Sequence, residues 1–306
     1  MIKHTPVMTR EVIKFLAPSS SKNFIDATCG FGGHSRLILR KTEPRGKLLA
    51  IDQDAVALNE AKKNLKNFSG RVTFIKSNFT DLGLVIRLWK VSRVDGILFD
   101  LGVSTYQLKA ADRGFSFNMD AELDMRMAPD ATRLTAKDIV NQWSRRDLRK
   151  ILFEFGEEPH ASAIAREIVY WRRIKPVLKT NELVSIVKRA LPPGFRATRK
   201  RHFATATFRA LRMAVNSELE NLESGLKQAE KILSPGGRLV VISFHSLEDR
   251  IVKNFFRTTE SLKVLTPKPV MASAKEVQKN PSARSGKLRA ATKIKNYSIK
   301  NAECNS

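Results

Sequence analysis

The residues best suited to chemistry sit in short runs. In Asp26-Ala27-Thr28-Cys29-Gly30-Phe31-Gly32-Gly33-His34, an acid precedes closely spaced glycines. Glycine turns bring backbone amides close to a ligand at a helix N-terminus, where doubly wound sheets bind nucleotides. A dinucleotide fingerprint wants glycine or alanine at position 35, and Ser35 stands there. Asp26 would crowd a pyrophosphate but suits a cationic sulfonium amino acid, so the D-x-x-x-G-x-G spacing favours S-adenosylmethionine. Asp52 follows about 20 residues after the turn, where a carboxylate can accept both ribose hydroxyls of an adenosine ligand. Asn78-Phe79 places an amide and a ring where an adenine would lie. The cofactor set read from these runs is Asp26, Gly30, Gly32, Gly33, Asp52, Asn78 and Phe79. Plainer readings stand beside it: Asp26 and Asp52 as helix caps, the glycines as turn formers, Phe79 as a core aromatic. Cys29 reads as a small residue in a tight turn.

Asp100-Leu101-Gly102-Val103-Ser104 is the second candidate centre. Enzymes that methylate exocyclic amines place a carboxylate, amide or carbonyl there to accept the amine hydrogens and aim the nitrogen lone pair. Asp100 fits that role with carbonyls of the Gly102 to Ser104 loop, or else merely caps a strand. Ser104, His245 and Ser246 are further candidates for orienting a base or relaying a proton, His245 with a structural alternative. The flanking runs Arg113-Gly114-Phe115-Ser116-Phe117 and Leu123-Asp124-Met125-Arg126-Met127 pair aromatics with arginines. Phe115 and Phe117 could stack an extruded base while Arg113 and Arg126 hold its phosphate, or they anchor a hydrophobic insertion. A further basic cluster comprises Arg196, Arg199, Lys200 and Arg201.

Positioning these residues requires alternating strands and helices. Apolar runs at Phe24 to Asp26, Lys47 to Asp52, Val72 to Lys76 and Val94 to Asp100 predict buried strands. Helical periodicity at 11–16, 35–40 and 55–65 separates them, which implies an α/β, doubly wound parallel sheet. The rhythm breaks after Asp100. Residues 105–204 read as an inserted helical domain, with helices at 136–141, 145–155, 161–174 and 181–190. The first domain then comprises 1–104 and 205–306, resuming with one long helix from about Thr207 to Leu233 and a strand over 238–244. The stretch after Phe256, rich in Ser, Pro and Lys, predicts a loosely ordered basic tail.

The 306 residues carry 55 Lys and Arg against 30 Asp and Glu, a formal charge of +25, which calls for a polyanionic partner. Nucleic acid suits this better than membrane lipid, because the basic residues are spread through folded segments rather than gathered on one amphipathic helix. The two cysteines, Cys29 and Cys304, give no disulfide framework and no zinc spacing. No apolar stretch has membrane-spanning length, so a soluble, cytoplasmic protein is expected, with no membrane partner and no metal. The oligomeric state stays open, a homodimer included.

Together, Gly32-Gly33-His34-Ser35, Asp100 to Ser104, Arg113 to Phe117, Leu123 to Met127 and Ser243-Phe244-His245-Ser246-Leu247-Glu248-Asp249-Arg250 resemble the RsmH (MraW) family of bacterial 16S ribosomal RNA cytosine N4-methyltransferases. The resemblance runs from His4 to Ser285. It implies a class I methyltransferase domain with a helical insertion, acting on cytosine 1402 of the small ribosomal subunit. By motif position it also implies cofactor contacts at Gly32, Gly33, His34, Asp52, Phe79, Asp100 and Gln107. Thr105-Tyr106, Ala121-Glu122 and Ala206 depart from the family pattern, the last where an arginine is usual. Two other functions are weighed: a nicotinamide oxidoreductase, disfavoured by Asp26 and Ser35, and a ribosome-assembly factor without catalysis, disfavoured by the intact strand-end residues.

Overall fold

A computed structural model describes residues 5–103, 106–107, 113–198 and 202–294, with backbone alone for 196–198. The chain divides into two compact units, residues 1–102 with 219–306 and residues 103–218.

In the first unit α1 (Thr9–Leu16), β1 (Phe24–Asp26), α2 (Gly33–Lys41), β2 (Leu48–Asp52), α3 (Ala55–Asn64), β3 (Val72–Lys76), α4 (Leu82–Trp89) and β4 (Gly96–Asp100) alternate as the sequence predicts. β1, β2, β3, β4 and β5 (Arg238–Ser243) pair in parallel in the order β3-β2-β1-β4-β5. Both faces of β1, β2, β4 and β5 are covered, so their residues are apolar without alternation, whereas the edge strand β3 buries only Val72. Leu49, Ile51, Ile97, Phe99 and Val241 pack into one core, while Leu48, Ala50, Leu98, Val240 and Ile242 pack into the other. The strand order reverses between β1 and β4, and the carboxyl ends of strands at such a reversal form a ligand crevice.

The segment after Phe256 corrects the expected loose tail. α12 (Ser246–Thr258) leads into β6 (Leu262–Val264), β7 (Val270–Met271), α13 (Ala274–Lys279) and β8 (Lys287–Lys293). β8 runs antiparallel between β5 and β6, burying Leu288, Ala290 and Ala291 completely. Its Arg289 is buried because Asp249 answers the charge, Nε to Oδ1 at 2.6 Å. Only Lys287 to Lys293 alternates there, and charges interrupt it, so composition hid the strand.

The second unit is helical: α5 (Ala136–Gln142), α6 (Arg145–Glu154), α7 (Ala161–Ile174), α8 (Thr180–Ala190), α9 (Pro193–Thr198) and α10 (Thr205–Val215). The single long helix expected from Thr207 to Leu233 is two helices, α10 and α11 (Glu218–Ile232), separated at Ser217, which adopts a positive φ of 46°. α10 buries Phe208, Ala210, Leu211 and Val215 in the insertion's own core. The return to the first unit therefore falls at 218–219 rather than 204–205. No helix among the described residues is long and apolar enough to cross a membrane.

Candidate active site

The glycine turn leaves β1 and enters α2. Gly32 caps α2 with φ +82°, and a Cβ there would meet Leu65 at 2.9 Å, so glycine is required on both counts. At Gly30, φ is +52° and a Cβ would meet nothing within 4 Å: this side of the turn faces open space.

Asp26 is not in that space. It is 1% exposed, and its Oδ2 accepts the Ser35 hydroxyl at 2.6 Å. Its Oδ1 is 3.4 Å from the Thr28 amide. Asp26 therefore braces the turn from behind, and Ser35 supplies the buried hydroxyl that an acid in that position needs. Burial raises its pKa, against the Ser35 hydrogen bond and the nearby His34. Thr28 ties the two central strands together, its Oγ1 accepting the Asp100 amide at 2.6 Å. Neither Thr28 nor Ser35 stood out in the sequence as a brace, although both lie in the motif.

Asp52 ends β2 and reaches across to the turn. Its Oδ2 accepts the Gly30 amide at 2.7 Å and its Oδ1 the Asp54 amide at 2.9 Å, while Asp54 is the residue that caps α3. Burial raises Asp52 from 3.8 to about 6, although both backbone hydrogen bonds pull downward. Asn78 caps the turn after β3: its Oδ1 accepts the Thr80 amide at 3.1 Å and its Nδ2 donates to Gln53 at 3.1 Å. Phe79 rests edge-on against Phe99, ring centres 5.4 Å apart, and over Gly225 of α11, where a Cβ would stand 2.6 Å from its ring. Gln228, one turn further, holds this segment through Gly83 N at 2.7 Å and the Thr80 carbonyl. Gln53, Gly225 and Gln228 carried no motif signal.

At the end of β4, Asp100 faces His34. The Nε2 of His34 lies 3.5 Å from Asp100 Oδ2. Among the described residues, both ring nitrogens of His34 and Oδ1 of Asp100 are buried without a hydrogen-bond partner. Unsatisfied buried polar atoms are costly, and water, an ion or a ligand can complete their bonding. Burial alone would lower the His34 pKa, but Asp100, and behind it Asp26 and Glu276, raise it. Cys29 is buried beside Ser35, and burial together with Asp26 pushes its thiol well above the usual range, so it is inert. Gly102 has φ +92°, which lets the loop turn away from β4.

Other expected site residues have structural work. His245 caps α12, its Nδ1 accepting the Glu248 amide at 3.4 Å and its Nε2 lying 3.0 Å from the Glu248 carboxylate. It thus serves as a helix cap, while its Nε2, like the ring nitrogens of His34, is buried with no hydrogen-bond partner among the described residues. In the second unit Phe115 is 6% exposed within the core, and Phe117 stacks on His202 at 4.4 Å and edge-on against Phe208 at 5.5 Å. Arg113 donates to the carbonyls of Arg126 and Met127, at 2.7 and 2.9 Å. Arg126 grips Asp124 through Nε and Nη2 and donates to the carbonyls of Pro129 and Thr132. These contacts hold the surrounding loops in shape, which is the anchoring alternative weighed for the four residues. Gln107 lies buried in the second unit. Ser104, Arg199, Lys200 and Arg201 lie outside the described residues, as does the side chain of Arg196.

The glycine turn with an open side, a ribose-type acid and unsatisfied groups in the first turn of α2 and at the end of β4 fit S-adenosylmethionine. The model of the MraW methylase family matches residues 1–294. A ribosomal RNA small subunit methyltransferase H from Thermotoga neapolitana is 51% identical over 290 residues, covering 94% of this chain and 95% of that one. Proteins of the same name from Kosmotoga olearia and a Sulfurihydrogenibium species are each 47% identical, covering 95% and 96% of this chain and 97% and 100% of theirs. The chain belongs to the MraW methylase family, and S-adenosylmethionine is its methyl donor.

Proposed function

We propose that this protein transfers a methyl group from S-adenosylmethionine to the exocyclic N4 of cytosine 1402 in the 16S ribosomal RNA of the small subunit. The observation that carries this reading is Asp100, at the reversal point of the sheet, with a buried carboxylate oxygen that has no hydrogen-bond partner among the described residues. An exocyclic amine brings the hydrogens such an oxygen needs. The relatives' printed names specify small-subunit ribosomal RNA, and the +25 charge suits a phosphate-rich substrate.

When bound, the cofactor supplies a methyl group activated on a sulfonium. The chain's own residues do the rest. Asp52 accepts the ribose hydroxyls, its position fixed by the Gly30 and Asp54 amides. Phe79 offers a ring to the adenine, backed by Phe99. Asp26 stays behind the turn and shapes it. The amine nitrogen is a weak nucleophile because its lone pair is delocalised into the ring, so alignment carries much of the rate. Asp100 accepts an amine hydrogen, aims the lone pair and holds the proton as the new carbon–nitrogen bond forms, with His34 beside it to balance the charge.

The test is to incubate the protein and labelled methyl donor with small subunits lacking the modification and map the product by mass spectrometry. One methyl group on N4 of cytosine 1402 is expected. Label at a carbon, at another nucleotide or nowhere would refute the reading. A catalytically silent assembly factor would bind the subunits and transfer nothing.

A further inference from the structure

The helical unit carries a groove that the chemistry above does not use. α7 buries Ile164, Ala165 and Ile168, and α8 buries Leu183, Ile186 and Val187. The link between them is held firmly. Asn141 brackets Val177, accepting its amide at 2.9 Å and donating to its carbonyl at 2.8 Å. Glu182 accepts Lys175 Nζ at 2.9 Å and the amides of Leu178 and Lys179 at 2.8 and 3.0 Å, which holds its carboxyl down at about 2 despite burial. The rigid link leaves a cavity of about 240 Å³ walled by Trp171, Pro176, Val177, Ser185 and Ile186, with Arg189 and the Lys175–Glu182 pair also lining it.

Three features of this groove point to one ligand. The Arg189 guanidinium lies over the Trp171 ring, 4.7 Å from its centre, and meets no carboxylate among the described residues. Its edge N–H groups therefore remain for an anion. Tyr170, 57% exposed, stands edge-on to Trp171 at 5.6 Å, which extends the aromatic surface outward. Between Ala161 and Ala190 there are seven Lys or Arg against Glu167 and Glu182, and Glu182 is neutralised as described. Flat apolar walls beside unpaired arginine suit a base and its phosphate. An acidic peptide would satisfy the charge but has no planar face to fill the cavity.

We infer that the cavity between α7 and α8 binds one unpaired nucleotide of an RNA strand, the base against Trp171 and the phosphate on Arg189. It is an anchoring site additional to the methyl-transfer site, and it rests on the RNA-substrate reading above. Base stacking on aromatics is sequence-tolerant, so the site should hold a strand in place without selecting a base. The preformed walls limit the ordering cost of binding.

The experiment uses the full chain and a fluorescent single-stranded oligouridylate of about a dozen nucleotides, a length suited to such grooves. Ser185 lines the cavity, is exposed, and its hydroxyl donates only within its own helix, to the Asn181 carbonyl at 2.9 Å. Ser185→Trp therefore fills the cavity without disturbing the core. Ser185→Trp and Arg189→Ala should each weaken oligouridylate binding about five- to tenfold. Arg189→Ala should also reduce the salt slope by about one, while Ser185→Trp leaves the slope unchanged. Wild-type affinity in both variants overturns the inference. So does displacement of the oligonucleotide by polyglutamate of equal charge as effectively as by unlabelled oligouridylate. Methylation of small subunits by the wild-type protein, run in parallel, separates the two readings: no methylation sinks the substrate assignment, whereas normal methylation with unaffected variants sinks only this site.

Discussion

The Asp52 carboxylate at the end of β2 accepts the backbone amide of Gly30, 2.7 Å away in the turn after β1, so the proposed ribose acid and the glycine turn are tied together. Because the carboxylate is buried, its pKa is about 6, and pH should control ligand binding. Ribose hydroxyls need an ionised acceptor. As pH falls through 6 the proton competes, and affinity for S-adenosylhomocysteine should weaken roughly tenfold between pH 7 and pH 5. The contribution to folding runs the other way. Asp52 is raised above its unfolded value of 3.8, so its ionisation costs stability as pH rises from 3.8 to 6, and the cost is complete above 6. Calorimetric titrations at constant ionic strength check the first effect, and an affinity flat from pH 5 to 7 would contradict it.

Asp52→Ala removes the ribose acceptor and leaves the Gly30 and Asp54 amides without their partner. Loss of about 1.5–3 kcal/mol of binding to S-adenosylhomocysteine is expected, the usual scale for hydrogen bonds to a charged group. The fold should persist, since the sheet core does not depend on this side chain. Unchanged affinity in a folded variant, measured by calorimetry, would remove Asp52 from the cofactor site.

Arg126 should matter to stability more than to RNA. Its Nε and Nη2 clasp Asp124, and its Nη1 donates to the Pro129 and Thr132 carbonyls at 3.2 and 3.1 Å. The pair lowers the Asp124 pKa, chiefly through the Arg126 hydrogen bonds acting against burial. Lysine cannot reproduce that fork, so Arg126→Lys should destabilise the protein by about 1–3 kcal/mol in denaturant titrations. RNA affinity of the folded fraction should keep its salt slope. A slope reduced by about one with unchanged stability would restore the phosphate-binding role.

What the sequence made legible follows from what the physics repeats along it. β1, β2 and β4 read directly because both faces are buried, and Leu48 to Ile51 is an unbroken, fully buried apolar run. Asp26, Asp52 and Asp100 were found because each ends a strand. Three things were illegible. β8 was masked by its charges, since the Asp249 that makes Arg289 buriable lies 40 residues away. The break at Ser217 needs a left-handed residue that is not glycine, a weak local signal. The role of Arg113 and Phe115 depended on whether their groups were already engaged, which spacing cannot show.

The last prediction concerns the transfer step, with attack by nitrogen and no covalent enzyme intermediate. Methylation at a pyrimidine carbon needs a thiolate nucleophile, and Cys29 is disqualified twice: it is 4% exposed, and burial with Asp26 nearby holds it as the thiol. Cys29→Ala should keep most of the activity, since the alanine fits the same small space. Asp100 differs in each respect. It ends β4, its amide is fixed by Thr28, and its Oδ1 has no hydrogen-bond partner among the described residues. Removing one positioned transition-state acceptor typically lowers turnover about a hundredfold or more, so Asp100→Ala should do the same. The variant leaves His34 beside an empty position, which predicts altered pH dependence of any residual rate. Single-turnover assays at saturating cofactor separate lost chemistry from weakened binding. A Cys29→Ala enzyme that binds cofactor and RNA yet is dead, or an Asp100→Ala enzyme at full rate, would overturn the mechanism.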